Sequence, residues 1–393
     1  MSEWKEVILS EITSRIGDGL HGTPVYDDAG DYYFINGNNL INGKIQIKPD
    51  TRRVSLEEYQ KHAKPLSNKT ILLSINGTIG NLALYNDEKC MLGKSACYLN
   101  MVDGIDTNFI YYTFLNSDFQ NYIQGIATGT TIPNVPLKGV RDYSFLLPTL
   151  PEQKAIASIL SSLDDKIDLL HRQNTTLEKM AETLFRQWFK EEAKEEWEEG
   201  TVDDLAIHLK TSVQPQKNPE VQYQHYSIPA FDNGKKPVLE LGCEIQSSKY
   251  LIPDNCILFS KLNPHRDKRL WLLQNEVAEN SICSTEFQII KPRKDQYLYF
   301  LYGWLSHGEN YNEIASGVGG TSGSHQRIDP ATIFNFQCPK VSEKYVNAFN
   351  TKVEALFKKQ VINQTQIRTL TTLRDTLLPK LMSGEVRVAS GKN

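Results

Sequence analysis

Between Ile156 and Trp188 the apolar positions advance in alternating steps of four and three: Ile156, Leu160, Leu163, Ile167, Leu170, Asn174, Leu177, Ala181, Leu184 and Trp188. That spacing is the a/d seam of a coiled coil sustained for more than four heptads, and it predicts a long helix over 151–195. The closing segment repeats the rhythm at Phe349, Val353, Leu356, Gln360, Asn363, Ile367, Leu370, Arg374, Leu377 and Leu381. It predicts a second, more polar helix within 342–383, stopped at Pro379 and Gly384. The two seams should pair. A globular stretch separates them, so the simplest closure is antiparallel, a rod on the order of 60 Å with a domain at each end. Asn174 and Asn363 fall on the seam; such amides either fix register and orientation at some cost in stability or tilt to the surface at a loose layer.

Upstream of each helix the pattern changes. Residues 1–150 hold short β-like runs (Tyr32–Ile35, Ile71–Ile75, Leu82–Tyr85, Tyr143–Leu147), a helix-like stretch around Asn108–Ile123, and heavy Gly and Asn punctuation. Residues 196–341 behave alike. Trp4, Leu9 and Ile12 are answered by Trp197, Val202 and Leu205, each 193 positions on, Ile71–Ser74 by Ile257–Ser260, and Gly129–Pro148 aligns without a gap on Gly320–Pro339. A period near 190 is the size of a domain, not of a solenoid repeat. The expected fold is therefore mixed α/β: two repeated α/β domains separated by two long antiparallel coiled-coil helices, pseudo-twofold, with a tail at 384–393.

Composition narrows the setting. Cys90, Cys97, Cys243, Cys256, Cys283 and Cys338 are scattered, without the spacing of a zinc site or a disulfide framework, and read as buried free thiols. No apolar run approaches the ~20 residues of a membrane span and the start is not a signal peptide, so a cytoplasmic protein that meets no membrane is expected. Net charge is -4. Residues 1–150 carry -3, 151–200 carry -5, 201–340 carry -1 and 341–393 carry +5. A protein that held DNA alone by neutralising phosphates would usually be basic. If DNA is the ligand, a partner supplies part of the positive field.

No phosphate loop, dinucleotide fingerprint, nucleophile elbow, zinc-protease motif or amino-methyltransferase tetrapeptide is present. What remains is polar loops suited to reading a surface. Lys261–Arg269 offers Lys261, Asn263, His265, Arg266, Lys268 and Arg269; Gly319–Asp329 offers Ser322, Ser324, His325, Gln326 and Arg327. In the first domain the counterparts are Thr128, Thr130, Thr131 and Asn134, with Ser74, Asn76 and Thr78 on a second loop. Arg reads guanine bidentately and Gln reads adenine, while Ser, Thr and backbone amides hold phosphates. Turn geometry explains any single one of these residues equally well; two matching loops in two copies favour recognition. Candidate helix-pairing residues are Leu163, Ile167, Leu170, Asn174, Leu177, Leu184, Val353, Leu356, Asn363, Ile367, Leu370 and Leu377.

A Trp-led domain closing on LPEQKAIASIL (Leu150–Leu160), a long helix, a second Trp-led domain and a second helix ending in LRDTLLPKLMSGEV (Leu373–Val386) together resemble the specificity subunit of type I restriction-modification enzymes. The chain departs from that pattern at CPKVSEKYVNAF, which keeps the proline but not LPEQ. The resemblance implies a non-catalytic subunit whose two target recognition domains each read half of a bipartite double-stranded DNA sequence, and whose helices space them and dock two methylating subunits, with restriction/translocase subunits joining for cleavage. It implies no cofactor on this chain: S-adenosylmethionine and ATP belong to the partners. A coiled-coil scaffold without DNA binding and a degenerate methyltransferase or nuclease remain as alternatives.

Overall fold

The computed structural model describes residues 4–129, 131–194, 196–275, 277–317 and 326–388. It is mixed α/β and divides into two compact units, residues 1–170 with 365–393, and residues 171–364. Each unit therefore holds one globular domain and a portion of both long helices.

In the first unit an antiparallel sheet runs in the order Thr13–Asp18, Ala96–Met101, Thr70–Asn76, Thr78–Leu84. Strand Thr70–Asn76 is buried through its first six residues, which is why its apolar run does not alternate. A smaller sheet pairs Tyr32–Ile35 in parallel with Cys90–Leu92. The second unit repeats the order as Ala206–Leu209, Phe287–Pro292, Cys256–Ser260, Leu270–Leu273. It also repeats the parallel pair, as Gln222–Tyr226 with Ser281–Cys283. The helix expected near 108–123 is two helices, Thr107–Leu115 and Ser117–Ile126. Asn116 between them is extended (ψ 146°) and its side chain accepts from the Ser117 N–H, so it ends one helix and caps the next. Their counterparts, Leu298–Ser306 and Gly308–Ser316, begin 191 residues later.

The Trp-led starts are anchored alike. Leu9 N–H donates to Tyr143 O (2.8 Å) and Val202 N–H to Phe336 O (3.0 Å), both pairs displaced by 193. Strand Lys5–Ile8 pairs with Ser144–Leu147, and the equivalent bridges are Glu198 with Lys340 and Thr201 with Gln337. This register corrects the gap-free alignment of Gly129–Pro148 on Gly320–Pro339: the true displacement there is 193, not 191, because the second unit spends two more residues on the preceding loop. Five of the six cysteines are buried as expected, and Cys243 is exposed.

The first long helix is Leu150–Arg186, followed by one wider turn at Gln187–Glu191, so it ends short of residue 195. The second, Glu343–Met382, runs through Pro379 and stops three residues beyond it. Pro379 lacks an N–H and costs one bond in the last turn; Ser383 N–H still reaches its carbonyl at 2.9 Å. Within each unit the helices are antiparallel. In the first, Asp164 meets Arg374; in the second, Asn174 meets Asn363 while Phe185 lies 6.2 Å from Phe349 between ring centroids. Leu170, Val353, Asn363 and Ile367 are buried; Leu163, Ile167, Asn174, Leu177, Leu184, Leu356, Leu370 and Leu377 are half-buried. The other two polar positions of the seams also have polar partners: Gln360 donates to Asn174 O (3.1 Å) and Arg374 to Asp164 (2.8 Å).

Candidate DNA interface

In the first unit the turn Asn76-Gly77-Thr78 closes the hairpin between strands Thr70–Asn76 and Thr78–Leu84, the latter at the edge of the sheet. Gly77 sits at φ +73°, which a side chain would strain, and the turn leaves Thr78 exposed. The segment 128–135 lies against this turn. Gly77 N–H donates to Pro133 O (2.9 Å), Val135 N–H to Ile75 O (2.8 Å), and Thr128 and Asn134 exchange two backbone bonds of 2.8 Å. Asn76 Nδ2 reaches Asn134 Oδ1 at 3.2 Å. The two loops singled out in the sequence are thus one surface, with Thr128, Thr131 and Asn134 exposed. Thr130 lies outside the described residues. Ser74 does not belong to this surface: it is fully buried, and its hydroxyl accepts from Asn81 N–H (2.8 Å) across the bulge in the hairpin.

The second unit builds the same surface from different side chains. Asn263 N–H donates to Gln326 O (2.9 Å) and Ile328 N–H to Lys261 O (3.0 Å). These bonds repeat those of Gly77 and Val135, at displacements of 186 on one loop and 193 on the other. The bridge between Leu262 and Arg327 repeats that between Asn76 and Asn134. Arg327 and Asn134 therefore occupy equivalent positions. Nε and Nη2 of Arg327 donate to the two oxygens of Glu286 (3.0 and 2.9 Å), a fork that raises the guanidinium's already high pKa and fixes its plane. His265 and Arg266 are exposed beside it, and Gln326 is half-buried. Ser322, Ser324 and His325 lie outside the described residues.

The basic run Lys261–Arg269 is less available than its sequence implies. Arg269 is buried and donates to both oxygens of Asp232 (2.7 and 2.9 Å) and to Asp267 (2.7 Å), so it braces the loop from inside rather than facing DNA. Lys268 stays exposed but gives its ammonium to Ser306 O, and the partial desolvation there lowers its pKa. Lys261 is half-buried and bonds through its backbone, and the Tyr311 hydroxyl pins the loop at Pro264 O (3.2 Å). Sequence reasoning missed Glu286 and Asp232 because both are distant in the chain from the arginines they hold. It also missed two exposed arginines in the first unit, Arg52 and Arg53, which stack over Tyr26 (4.4 Å) and Tyr33 (4.7 Å).

Among the described residues no cluster of His, Cys, Asp and Glu is arranged to hold a metal, and no helix is long and apolar enough to cross a membrane. Residues 1–179 match the family model for the type I restriction modification DNA specificity domain. The chain is 26% identical to the type I restriction enzyme MjaIX specificity subunit of Methanocaldococcus jannaschii, over 98% of this chain and 94% of that one. It is 22% identical to the HindI specificity subunit of Haemophilus influenzae, over 98% of this chain and all of the relative. Its fold is similar to the crystal structure of the type I restriction-modification system S subunit from M. genitalium, with a TM-score of 0.61 over 96% of each chain at 18% identity. With a match to a DNA specificity domain over its first 179 residues and relatives aligned along 98% of its length, the chain is similar to the specificity subunits of type I restriction enzymes.

Proposed function

We propose that the chain is the non-catalytic DNA-reading subunit of a type I restriction-modification complex, each unit reading one half of a bipartite double-stranded target. The observation that carries this reading is the cross-loop register shared by the two units, which presents Asn134 in one and Arg327 in the other at equivalent places. An Asn amide suits adenine and an Arg fork suits guanine, so the two halves differ in sequence. With a net charge of -4 the chain supplies little of the positive field that DNA demands. Two methylating subunits supply it, docking on helix positions that carry exposed apolar side chains, such as Leu169, Met180, Ile362 and Leu373. Restriction/translocase subunits join them, and S-adenosylmethionine and ATP bind to these partners in the cytoplasm. Joining two weak readers by a stiff spacer raises affinity only for half-sites at the matching separation. The test is an exchange of residues 1–148 for another domain of the family followed by methylome sequencing: one half of the modified sequence changes and the other stays. A change in both halves would refute two independent readers.

A further inference from the structure

The two units differ at one place where the repeat predicts sameness. In the first, the Tyr112 hydroxyl donates to Asp164 Oδ2 (2.8 Å) and Arg374 Nη1 donates to Asp164 Oδ1 (2.8 Å), a polar cluster that joins the domain to both helices. The equivalents in the second unit are Gly303 for Tyr112, at the displacement of 191 shared by the short helices, and Phe357 and Ala181 for Asp164 and Arg374, at the displacement of 193 shared by the seams. A tyrosine, an aspartate and an arginine have become glycine, phenylalanine and alanine. All three replacements line one cavity of about 320 Å³.

The cavity is aromatic and its charges are nearly matched. Phe185 lies directly over Gly303, where an added Cβ would come within 2.2 Å of its ring, and Tyr302 and Phe357 stand edge to face at 5.8 Å. At the rim Lys235 pairs with Glu178 (3.4 Å), and Lys268, already bonded to Ser306 O, faces Glu182. Such a rim has no need of a strongly charged ligand, and its volume falls in the range of small-molecule sites, roughly 300–1,000 Å³. We propose that the second unit carries a binding pocket for a flat, uncharged aromatic group, seated beside Phe185, whose own ring fills the place that a side chain at Gly303 would take. The pocket is independent of DNA reading. Its occupant is either a free small aromatic molecule or an aromatic side chain of a docked subunit, which presents the same chemistry.

The test uses the full-length chain and 5-fluoroindole, observed by fluorine NMR. One saturable site per chain is expected. Ala181→Leu fills the cavity from the first long helix and Thr175→Phe fills it from an exposed position that does not threaten folding; each should weaken binding at least about tenfold, while Asp164→Asn in the first unit leaves it unchanged. Absence of saturable binding, or binding indifferent to both filled variants, overturns the proposal. Adding the methylating subunit separates the sources: release of the probe identifies a side chain of that subunit as the occupant, and retention identifies a free molecule. Because the readout is probe binding and not the methylated sequence, its failure leaves the DNA-reading assignment standing, and the reverse.

Discussion

Asn363 donates its side-chain amide to the side-chain oxygen of Asn174 at 2.9 Å, and it does so fully buried between the two long helices of the second unit. Its own oxygen has no partner. A half-satisfied buried amide costs stability, and a pairing that tolerates that cost in one register discourages the others. Asn174→Ala should lower unfolding free energy by roughly 1–3 kcal/mol, since it strands the Asn363 amide. The double replacement Asn174→Leu with Asn363→Leu should recover or exceed wild-type stability and broaden the oligomeric distribution. Urea unfolding and light scattering check both; a double variant weaker than the sum of the two singles would remove the amide pair from this role.

Arg327→Ala should relax the modified sequence at one base position in the second half-site, a loss of about 1–3 kcal/mol in discrimination. Methylome sequencing reads the outcome. A uniform drop in modification at every site would place Arg327 on the phosphate backbone.

Arg269→Met tests the opposite assignment. If that guanidinium braces the loop through Asp232 and Asp267, its loss leaves two carboxylates without their partner, lowers the melting temperature of the second unit and disorders the hairpin without changing which base is read. A changed recognition sequence with unchanged stability would return Arg269 to the interface.

Acid should weaken the second unit. Burial holds His208, His225 and His307 below their ordinary value of 6.5, because it disfavours the imidazolium, and Glu240 offsets only part of this at His225. Histidines depressed in the folded state contribute stability in full above pH 6.5 and lose it as pH falls toward their folded values, since the unfolded chain then binds the protons. The thermal midpoint should decline from pH 7 to 5, and less steeply in His225→Gln; an equal slope in that variant would exclude His225 as a source.

Inserting four residues beside Asn174 adds about 6 Å of helix, near two base pairs at roughly 3.4 Å each. The spacer of the recognised sequence should lengthen by one or two base pairs with both half-sites kept. The insertion also moves the seam half a heptad, so the informative sample is whatever enzyme remains active. An unchanged spacer would show that the distance is set by the partner subunits.

How much of this was legible depended on how local the cause is. The seam could be read residue by residue, because steps of three and four reflect helix geometry alone, and it carried Asn174 and Asn363, which the structure brings into contact. The paired starts at Trp4 and Trp197 were legible from their common offset of 193 residues. The loops were not. Ser74 and Thr78 look alike in sequence, yet a bulge and a turn bury one and expose the other. Arg269 and Arg266 belong to one basic run, but Asp232, distant in the chain, claims only the first. The two-residue slip in the alignment fell before Ile328, and hydrogen-bond pairings distant in the chain reveal the register.

Those cross-loop bonds bear on thermodynamics as well as on position. Val135 to Ile75 and Ile328 to Lys261 tie the backbone beside Asn134 and Arg327 to the neighbouring turns within the fold itself. Fixing a residue's backbone costs roughly 1–2 kcal/mol of entropy, and here that cost falls on folding rather than on binding. Side chains such as Asn134 and Arg327 can thus be exchanged for others on an already ordered frame, and a new target need not bring a new ordering penalty.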